Sequence, residues 1–470
     1  MTLRYLFVDL NSYFASVEQQ DDIALRGHPV GVVPVLAETT CCIAASIEAK
    51  RFGVKTGTLV RDARRLCPGI TIVPARPHRY VEYHHRLIAA IERCIPISKV
   101  GSIDEVACRL IGRERQRQRA ERIATEIKTA VSETGDWLRC SIGIAPNAFL
   151  AKTASDMQKP DGLVVLEQAD LPQALFSLDL SDLCGIGPAM LARLHAAGID
   201  SIARLCSAPR HRLRRIWGGI EGERFHARLH GEDIPDTPTQ RSSVGHSHVL
   251  PPHLRNRAGA DAVLKKLLLK AAMRLRSYGM LAGMLHVKVR CLGAASWQAR
   301  VEFDHGDDSR ALLHRLNALI ADRPDPAPPL SVSVVLGRLL AREQSSGNLF
   351  DSTEEARARA LNTTLDRING KYGLNKIYFA GAQDALDSAP MRIPFSHIPD
   401  LASEEEADRN ELWLQRIRQT RALVEAEHRR RDGQAQRSRS NSNRSTGSRP
   451  ATDPSQSERP PESHRPTGRQ

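Results

Sequence analysis

Tyr5-Leu6-Phe7-Val8-Asp9-Leu10-Asn11-Ser12-Tyr13-Phe14 is an apolar run that ends in a carboxylate and turns at once into a helical pattern. A second short apolar region, residues 100–110, carries Ser102-Ile103-Asp104-Glu105. Three carboxylates delivered to strand ends hold two hard divalent cations by oxygen alone, which is the equipment for metal-assisted phosphoryl transfer. Successive side chains of a regular strand point to opposite faces. Asp104 and Glu105 therefore serve one site only where the backbone is irregular, as at a loop-to-strand junction. An isolated acidic pair is more often a solvated strand end, so the flanking sequence decides.

Outward from these two stretches, residues 4–9 read as a buried strand and 12–20 as a helix whose N-terminus lies beside Asp9. Residues 30–35 and 40–45 read as strands, and 47–52 as a helix that Gly53 stops. A strong helical period covers 80–94, a hairpin-like strand region 100–110 and a charged helix 113–133. A strand follows at 138–144, then a helix at 147–157 with Lys159-Pro160-Asp161-Gly162 as its stop. This mixture predicts an α+β core. Residues 171–234 read as all-helical, and 244–340 as strands with two long helices and a loop at 322–329. A short helix with Leu361, Leu365 and Ile368 on one face ends at Gly370. Ser403 and Glu406 form a capping box for another, carrying Trp413, Ile417 and Val424 and ending in Arg429-Arg430-Arg431. Beyond it Ser, Arg, Pro, Asn and Gln dominate, a composition that buries too little surface to offset chain entropy and predicts a disordered basic tail.

The chain has 470 residues, too many for one compact core, so several domains are expected. A formal charge of +13, spread well beyond the tail, suits a partner with a phosphate backbone. Aromatic content of only 4% argues against a base-stacking single-strand binder. The nine cysteines form no CxxC pair, which argues against a zinc site and for a reduced, cytoplasmic protein. No apolar run approaches the ~20 residues of a membrane span, so no membrane partner is expected.

Phe7-Val8-Asp9-Leu10-Asn11-Ser12-Tyr13-Phe14-Ala15-Ser16-Val17-Glu18 resembles the opening motif of the Y-family (translesion) DNA polymerases, and Ser102-Ile103-Asp104-Glu105 their second metal motif. Cys140-Ser141-Ile142-Gly143-Ile144-Ala145-Pro146-Asn147 and Ala151-Lys152-Thr153-Ala154-Ser155-Asp156-Met157-Gln158-Lys159-Pro160-Asp161-Gly162 are similar to the later motif of the palm. The nearest likeness is to the UmuC/ImpB-like bacterial branch and, more distantly, to DinB. The resemblance implies an α+β multidomain, right-hand polymerase of palm, fingers and thumb plus a little finger. It implies catalytic acids Asp9, Asp104 and Glu105, holding two Mg²⁺ ions with the carbonyl of Leu10. On the nucleotide side it implies Phe14 as a flat steric gate against the sugar, Tyr13 beside it, and Lys50, Arg51 and Lys159. The alternative for Phe14 is a core aromatic on a helix, the role that Tyr13 next door fits, and for Lys159 a helix C-terminal lysine. Two positions depart from the family. Ile47 stands where a Tyr is usual, and Lys50 where an Arg is usual. Ile47 cannot donate a hydrogen bond, and Lys50 cannot make a bidentate one.

The implied domains are a palm at 1–10 and 77–168, fingers at 11–76, a thumb at 169–236 and a little finger at 241–342. A linker at 343–352, a small helical segment at 353–431 and a tail at 432–470 follow. Leu183-Cys184-Gly185-Ile186-Gly187 resembles a helix-hairpin-helix turn, whose Gly185 and Gly187 would let backbone N–H groups approach a DNA phosphate. Lys265, Lys266, Lys270, Arg274 and Arg276 on the expected long helix, and Lys288 and Arg290 on the strand after it, are candidate phosphate contacts or an ordinary solvated face. Gln344-Ser345-Ser346-Gly347-Asn348-Leu349-Phe350-Asp351 resembles a degenerate sliding-clamp peptide with Leu349 and Phe350 as its plug, or is a plain linker. The expected partners are primer-template DNA, a dNTP, a sliding clamp and accessory repair proteins, in a DNA-damage setting. Two rivals stand beside an error-prone lesion-bypass polymerase: a catalytically silent scaffold of the same family, and a plain duplex-binding module.

Overall fold

The apolar run around Phe7 and Val8 becomes the central strand of a mixed sheet. The computed structural model describes residues 3–235, 240–345, 352–372 and 376–386, all within one compact unit. The chain begins β1 (Tyr5–Leu10), α1 (Tyr13–Asp21), β2 (Val30–Val33), β3 (Ala44–Ala45), α2 (Ile47–Arg51), α3 (Val60–Leu66), β4 (Thr71–Pro74) and α4 (Pro77–Glu92). It continues β5 (Ile97–Val100), β6 (Glu105–Arg109), α5 (Arg117–Thr134), β7 (Cys140–Ala145), α6 (Ala148–Met157) and β8 (Leu163–Val165).

β1 is buried along nearly its whole length because both its edges are paired. The sheet order is β5-β6-β1-β7-β8, with β1 antiparallel to β6 and β7 and only β7–β8 parallel. α4 and α5 pack on each other, and α5 packs on β7. α6 lies against β7 and β1, where Phe7, Ala107, Ala145, Leu150, Ala151 and Ala154 share a core. That packing needs Gly143: a Cβ there would stand 2.0 Å from the Ala151 carbonyl oxygen.

The segment between α1 and α4 holds a smaller sheet, β3-β2-β4, over Val33, Cys42, Ala45, Ala49, Val60 and Ala63. Its strands are shorter than expected. Pro34 follows directly on β2 and donates no ladder hydrogen bond. Residues 41–42 turn to a second partner, with Cys41 bridging Leu59 and the Cys42 N–H bonding the Thr58 carbonyl at 2.8 Å. α3 and β4 were not expected. α3 has only Val60 and Ala63 buried, too sparse a stripe to show as periodicity.

Four helices follow: α7 (Pro188–Ala196), α8 (Ile202–Ser207), α9 (Arg210–Trp217) and α10 (Glu221–Leu229). Their core, Leu183, Leu194, Leu205, Leu213 and Phe225, continues that of α6. Then come β9 (Ser243–Val249), α11 (Arg257–Ser277), β10 (Met280–Cys291), β11 (Trp297–Gly306), α12 (Ser309–Ala321) and β12 (Pro329–Ala341). They form an antiparallel sheet, β11-β10-β12-β9, with α11 and α12 on one face.

The helix carrying Leu361, Leu365 and Ile368 is longer than expected. α13 (Ser352–Tyr372) has 21 residues, because its first two turns are good helix formers with almost no apolar pattern to read. It docks on the helical layer: Arg276 forks onto Asp366 at 2.6 and 2.8 Å, and Asn362 Nδ2 donates to Asp308 at 2.8 Å. Residues 346–351 of the clamp-like peptide, which include Leu349 and Phe350, the helix expected after Ser403 and the basic tail lie outside the described residues.

Gly143→Ala should destabilise the first sheet by roughly 3 kcal/mol or more, since α6 must lift off β7. Urea unfolding beside the wild type checks this. An unchanged midpoint would mean that the close approach is not required.

Candidate active site

The β1–β6 register sets Asp9 directly opposite Glu105. Tyr5 and Phe7 share the face of β1 that α6 covers, and Asp9 continues it. Asp104 sits one residue before β6 begins, in the turn 101–104, so the loop-to-strand junction expected from the sequence is present. The turn is tied down on three sides. The Leu10 N–H donates to the Asp104 carbonyl at 2.9 Å, which docks the turn on β1. The Ser102 hydroxyl donates to Asp104 Oδ1 at 2.5 Å. His84, buried on α4, meets the Ile103 carbonyl through Nδ1 at 2.7 Å. Burial pushes the His84 pKa down to about 4, so the ring is neutral and Nδ1–H is the donor.

Asp9 is 7% exposed. Burial raises its carboxyl pKa from 3.8 to about 6; Lys159 pulls it down, while Asp156 and Asp104 add to the rise. Two lysines neutralise the acids. Lys159 Nζ lies 2.7 Å from Asp9 Oδ1 and 2.7 Å from Asp156. Lys152, from α6, pairs with Glu105 and crosses the Phe7 ring. Burial works against the charge on both lysines, and their carboxylate partners outweigh it, so both pKa values are raised. The turn bearing Lys159 is fixed by Asn11, whose Oδ1 accepts from the Asp161 N–H at 2.7 Å and whose Nδ2 donates to Ser141 at 3.0 Å.

The donor chemistry fits a hard divalent cation: three carboxylates at one strand end, with no Cys or His among them. As they stand, Asp9 and Glu105 are engaged by ammonium groups, and among the described residues no three acidic, His or Cys side chains already converge to chelate an ion. Chelation of an ion by Asp9 and Glu105 would require Lys159 and Lys152 to release them. Lys50 is on the surface, yet the protein around its amine, and next Lys159, lower its pKa, while Asp9 and Asp104 pull it back up. Lys50 thus shares the field of the acids. Arg51 follows it at the exposed end of α2. Phe14 is half-buried with its ring on Tyr80. Tyr13 is corrected to a core residue: it is 3% exposed, and its hydroxyl donates to the Tyr80 carbonyl at 2.6 Å. Sequence reasoning missed His84, Asn11 and Lys152, whose contacts across the fold leave no local pattern.

The comparisons with known proteins agree with one another. Residues 8–156 match the impB/mucB/samB family and residues 241–349 its C-terminal domain. The DNA polymerase IV of Moorella thermoacetica is 32% identical over 389 residues, spanning 80% of this chain and 95% of that protein. The DNA polymerase IV 1 of Bacillus subtilis is 29% identical over 384 residues, 79% of this chain and 91% of that one. The chain belongs to the DinB-like Y-family DNA polymerases. Among solved structures, a Y-family DNA polymerase chimera of Dbh and Dpo4 superposes with a TM-score of 0.60 at 24% identity, covering 72% of this chain and 99% of that one. The right-hand architecture with a little finger is therefore that of this Y-family polymerase.

Its basic residues fall on two sides of the little-finger sheet. Lys266 is corrected: it is 2% exposed, and its Nζ donates to the Leu386 carbonyl at 2.6 Å, so it faces no DNA. Lys265 borders Gly381, and Lys270 lines a groove with Leu365 and Tyr378, both on the helical side. Arg274 is half-buried on the same helix. On the open face, register aligns Lys288 with Gln298, Ser333 and Ser247, and His286 with Arg300, Val335 and Gly245. Arg290 continues that face beside Ser331. In the thumb, Gly185 has φ +93°, and Gly187 precedes α7 with open space around it. Among the described residues no helix is long and apolar enough to cross a membrane.

The folded state carries the cost of ionising Asp9. Below about pH 4 the carboxyl is protonated both folded and unfolded. Between about 4 and 6 only the folded state keeps the proton, and above 6 the full cost of up to about 3 kcal/mol is present. In a chelator, Asp9→Asn should therefore melt above the wild type at pH 7.5, and the gap should close as pH falls toward 4. Thermal unfolding across that range checks it; a gap independent of pH refutes the burial cost.

Proposed function

We propose that this polymerase copies DNA past damaged bases by nucleotidyl transfer at the Asp9–Asp104–Glu105 cluster, with low fidelity. The observation that carries the reading is Asp9 set opposite Glu105, with Asp104 held at the strand junction and two lysines balancing the buried charge. Asp9, Asp104, Glu105 and the Leu10 carbonyl would hold two Mg²⁺ ions, which when bound make the primer 3′-OH a better nucleophile and neutralise the triphosphate.

The chain's own residues do the rest. Lys159, once free of Asp9, and Lys50 place positive charge where a triphosphate would lie, with Arg51 beside them. Phe14 presents a flat ring to the sugar and rejects a 2′-OH by overlap. Ile47 contributes no hydrogen bond, so nucleotide affinity is expected to be low for the family. The small three-stranded fingers enclose the new pair loosely. Less differential binding is then available between right and wrong pairs, which tolerates distorted templates and costs fidelity. The open sheet face, with Lys288, Arg290 and Arg300 among small Ser and Gly residues, would follow the DNA backbone, and Gly185 and Gly187 would meet it from the thumb.

Primer extension with Mg²⁺ on undamaged and abasic templates tests the activity. Wild type should extend both, and Asp104→Ala should lose roughly 10³-fold or more. Ile47 and Lys50 favour one second reading, a silent scaffold. Tight primer-template binding with no extension by wild type would select it.

The DNA face has its own test. Lys288→Ala with Arg290→Ala should weaken duplex binding and reduce the log–log salt slope by about two. Lys265→Ala with Lys270→Ala should leave the slope unchanged. Fluorescence anisotropy across a salt series separates the pairs, and equal slopes for both would remove the assignment.

A further inference from the structure

Phe14 does not stand alone. Its ring lies flat on Tyr80, with centroids 4.2 Å apart and planes 14° from parallel. Tyr80 is fully buried and comes from α4, not from the helix that carries Phe14. What fixes the far end of the Tyr80 ring therefore fixes the surface behind Phe14. That anchor is Glu18: the Tyr80 hydroxyl donates to Glu18 Oε1 at 2.6 Å. Glu18 is 4% exposed and is held in turn by Arg76, through Nε at 2.9 Å and Nη2 at 2.6 Å to Oε2. Tyr13 pins the Tyr80 backbone. Burial, and next the charge of Glu18, raise the Tyr80 pKa, so the phenol stays protonated and remains the donor. α1 thus carries Phe14 and, one turn later on the same helix, the carboxylate that sets the backing of Phe14 through α4.

We propose that Glu18, acting through Tyr80, is a positioning residue that sets the depth of Phe14 and so the strictness of ribonucleotide rejection. This rests on the reading of Phe14 as the sugar-facing ring. A hydrogen bond to a buried carboxylate is among the stronger ones in a protein. Without it the Tyr80 ring is free to tilt, and Phe14 follows. Overlap repulsion is steep, so a recession of a fraction of an ångström admits a hydroxyl.

If Glu18, Arg76 and Tyr80 only fastened α1 to α4, their loss would lower the use of both sugars together. The ratio of kcat/KM for a ribonucleotide to that for the matching deoxynucleotide would then stay constant, because it does not depend on the amount of folded enzyme. That ratio is the readout, measured on the full chain with primer-template DNA and Mg²⁺. Phe14→Ala should raise it by roughly a hundredfold. Tyr80→Phe and Glu18→Gln should each raise it by roughly tenfold. Neither should add to Phe14→Ala in a double variant, since both act through that ring. If Phe14→Ala raises the ratio and neither partner does, or if the effects multiply, the positioning role is wrong and the gate stands. If Phe14→Ala leaves the ratio unchanged, the gate reading fails and the positioning role falls with it. Should Glu18→Gln fold poorly, Tyr80→Phe, which removes a single oxygen, decides alone.

Discussion

Three carboxylates at one end of a buried sheet repel one another and resist losing water, and the first sheet is arranged around that cost. Asp9 shows its size, since burial lifts the carboxyl to about 6 even with Lys159 beside it. The compensating charges come from α6 and the turn after it. α6 reaches the acids because Gly143 lets it lie hard against β7. The turn reaches them because Asn11, just past the end of β1, holds the Asp161 N–H. One glycine and one amide thus decide whether the acids have partners.

Compensation by lysine is also reversible. The desolvation cost of a buried ion pair nearly cancels its Coulomb gain, so the net hold is small. Asp9 and Glu105 are neutralised without being committed. A permanent arginine fork, like that of Arg276 on Asp366 in the little finger, would be a poor partner for a carboxylate that changes ligands, as the proposed metal site requires. The lysines, each a single point charge on a flexible stem, suit the two states, paired and metal-bound, that the proposed function asks of these acids.

Much of this was legible in the sequence where local pattern and chemistry coincide. β1, α1, the hairpin around Asp104, α6 and the order of the acids follow from apolar periodicity ending in carboxylates. The irregular backbone at Asp104 was legible as a requirement, because two adjacent acids cannot otherwise share a face. What was not legible is long-range. His84 bonding Ile103, Asn11 bonding Asp161 and Glu18 bonding Tyr80 join residues far apart in the chain by single side chains, and no periodicity marks such pairs. The length of α13 was hidden for the opposite reason: its first turns are helical by propensity with almost no apolar stripe.

Basic charge was the least readable property. Lys265, Lys266 and Lys270 and the strand residues Lys288 and Arg290 look alike as letters. Lys266 is sealed beneath a backbone carbonyl, whereas Lys288 lies in register with serines on an open sheet. The difference comes from α13 and the segment after it, which cover the helical layer, whereas no described element covers the opposite sheet face. A cation on that face, among small side chains, can approach a phosphate backbone without crowding, while Lys266, beneath the Leu386 carbonyl, holds the domain together. Use of charge in this polymerase is therefore decided by which face α13 and the segment after it cover, a consequence of tertiary packing that no count of lysines contains.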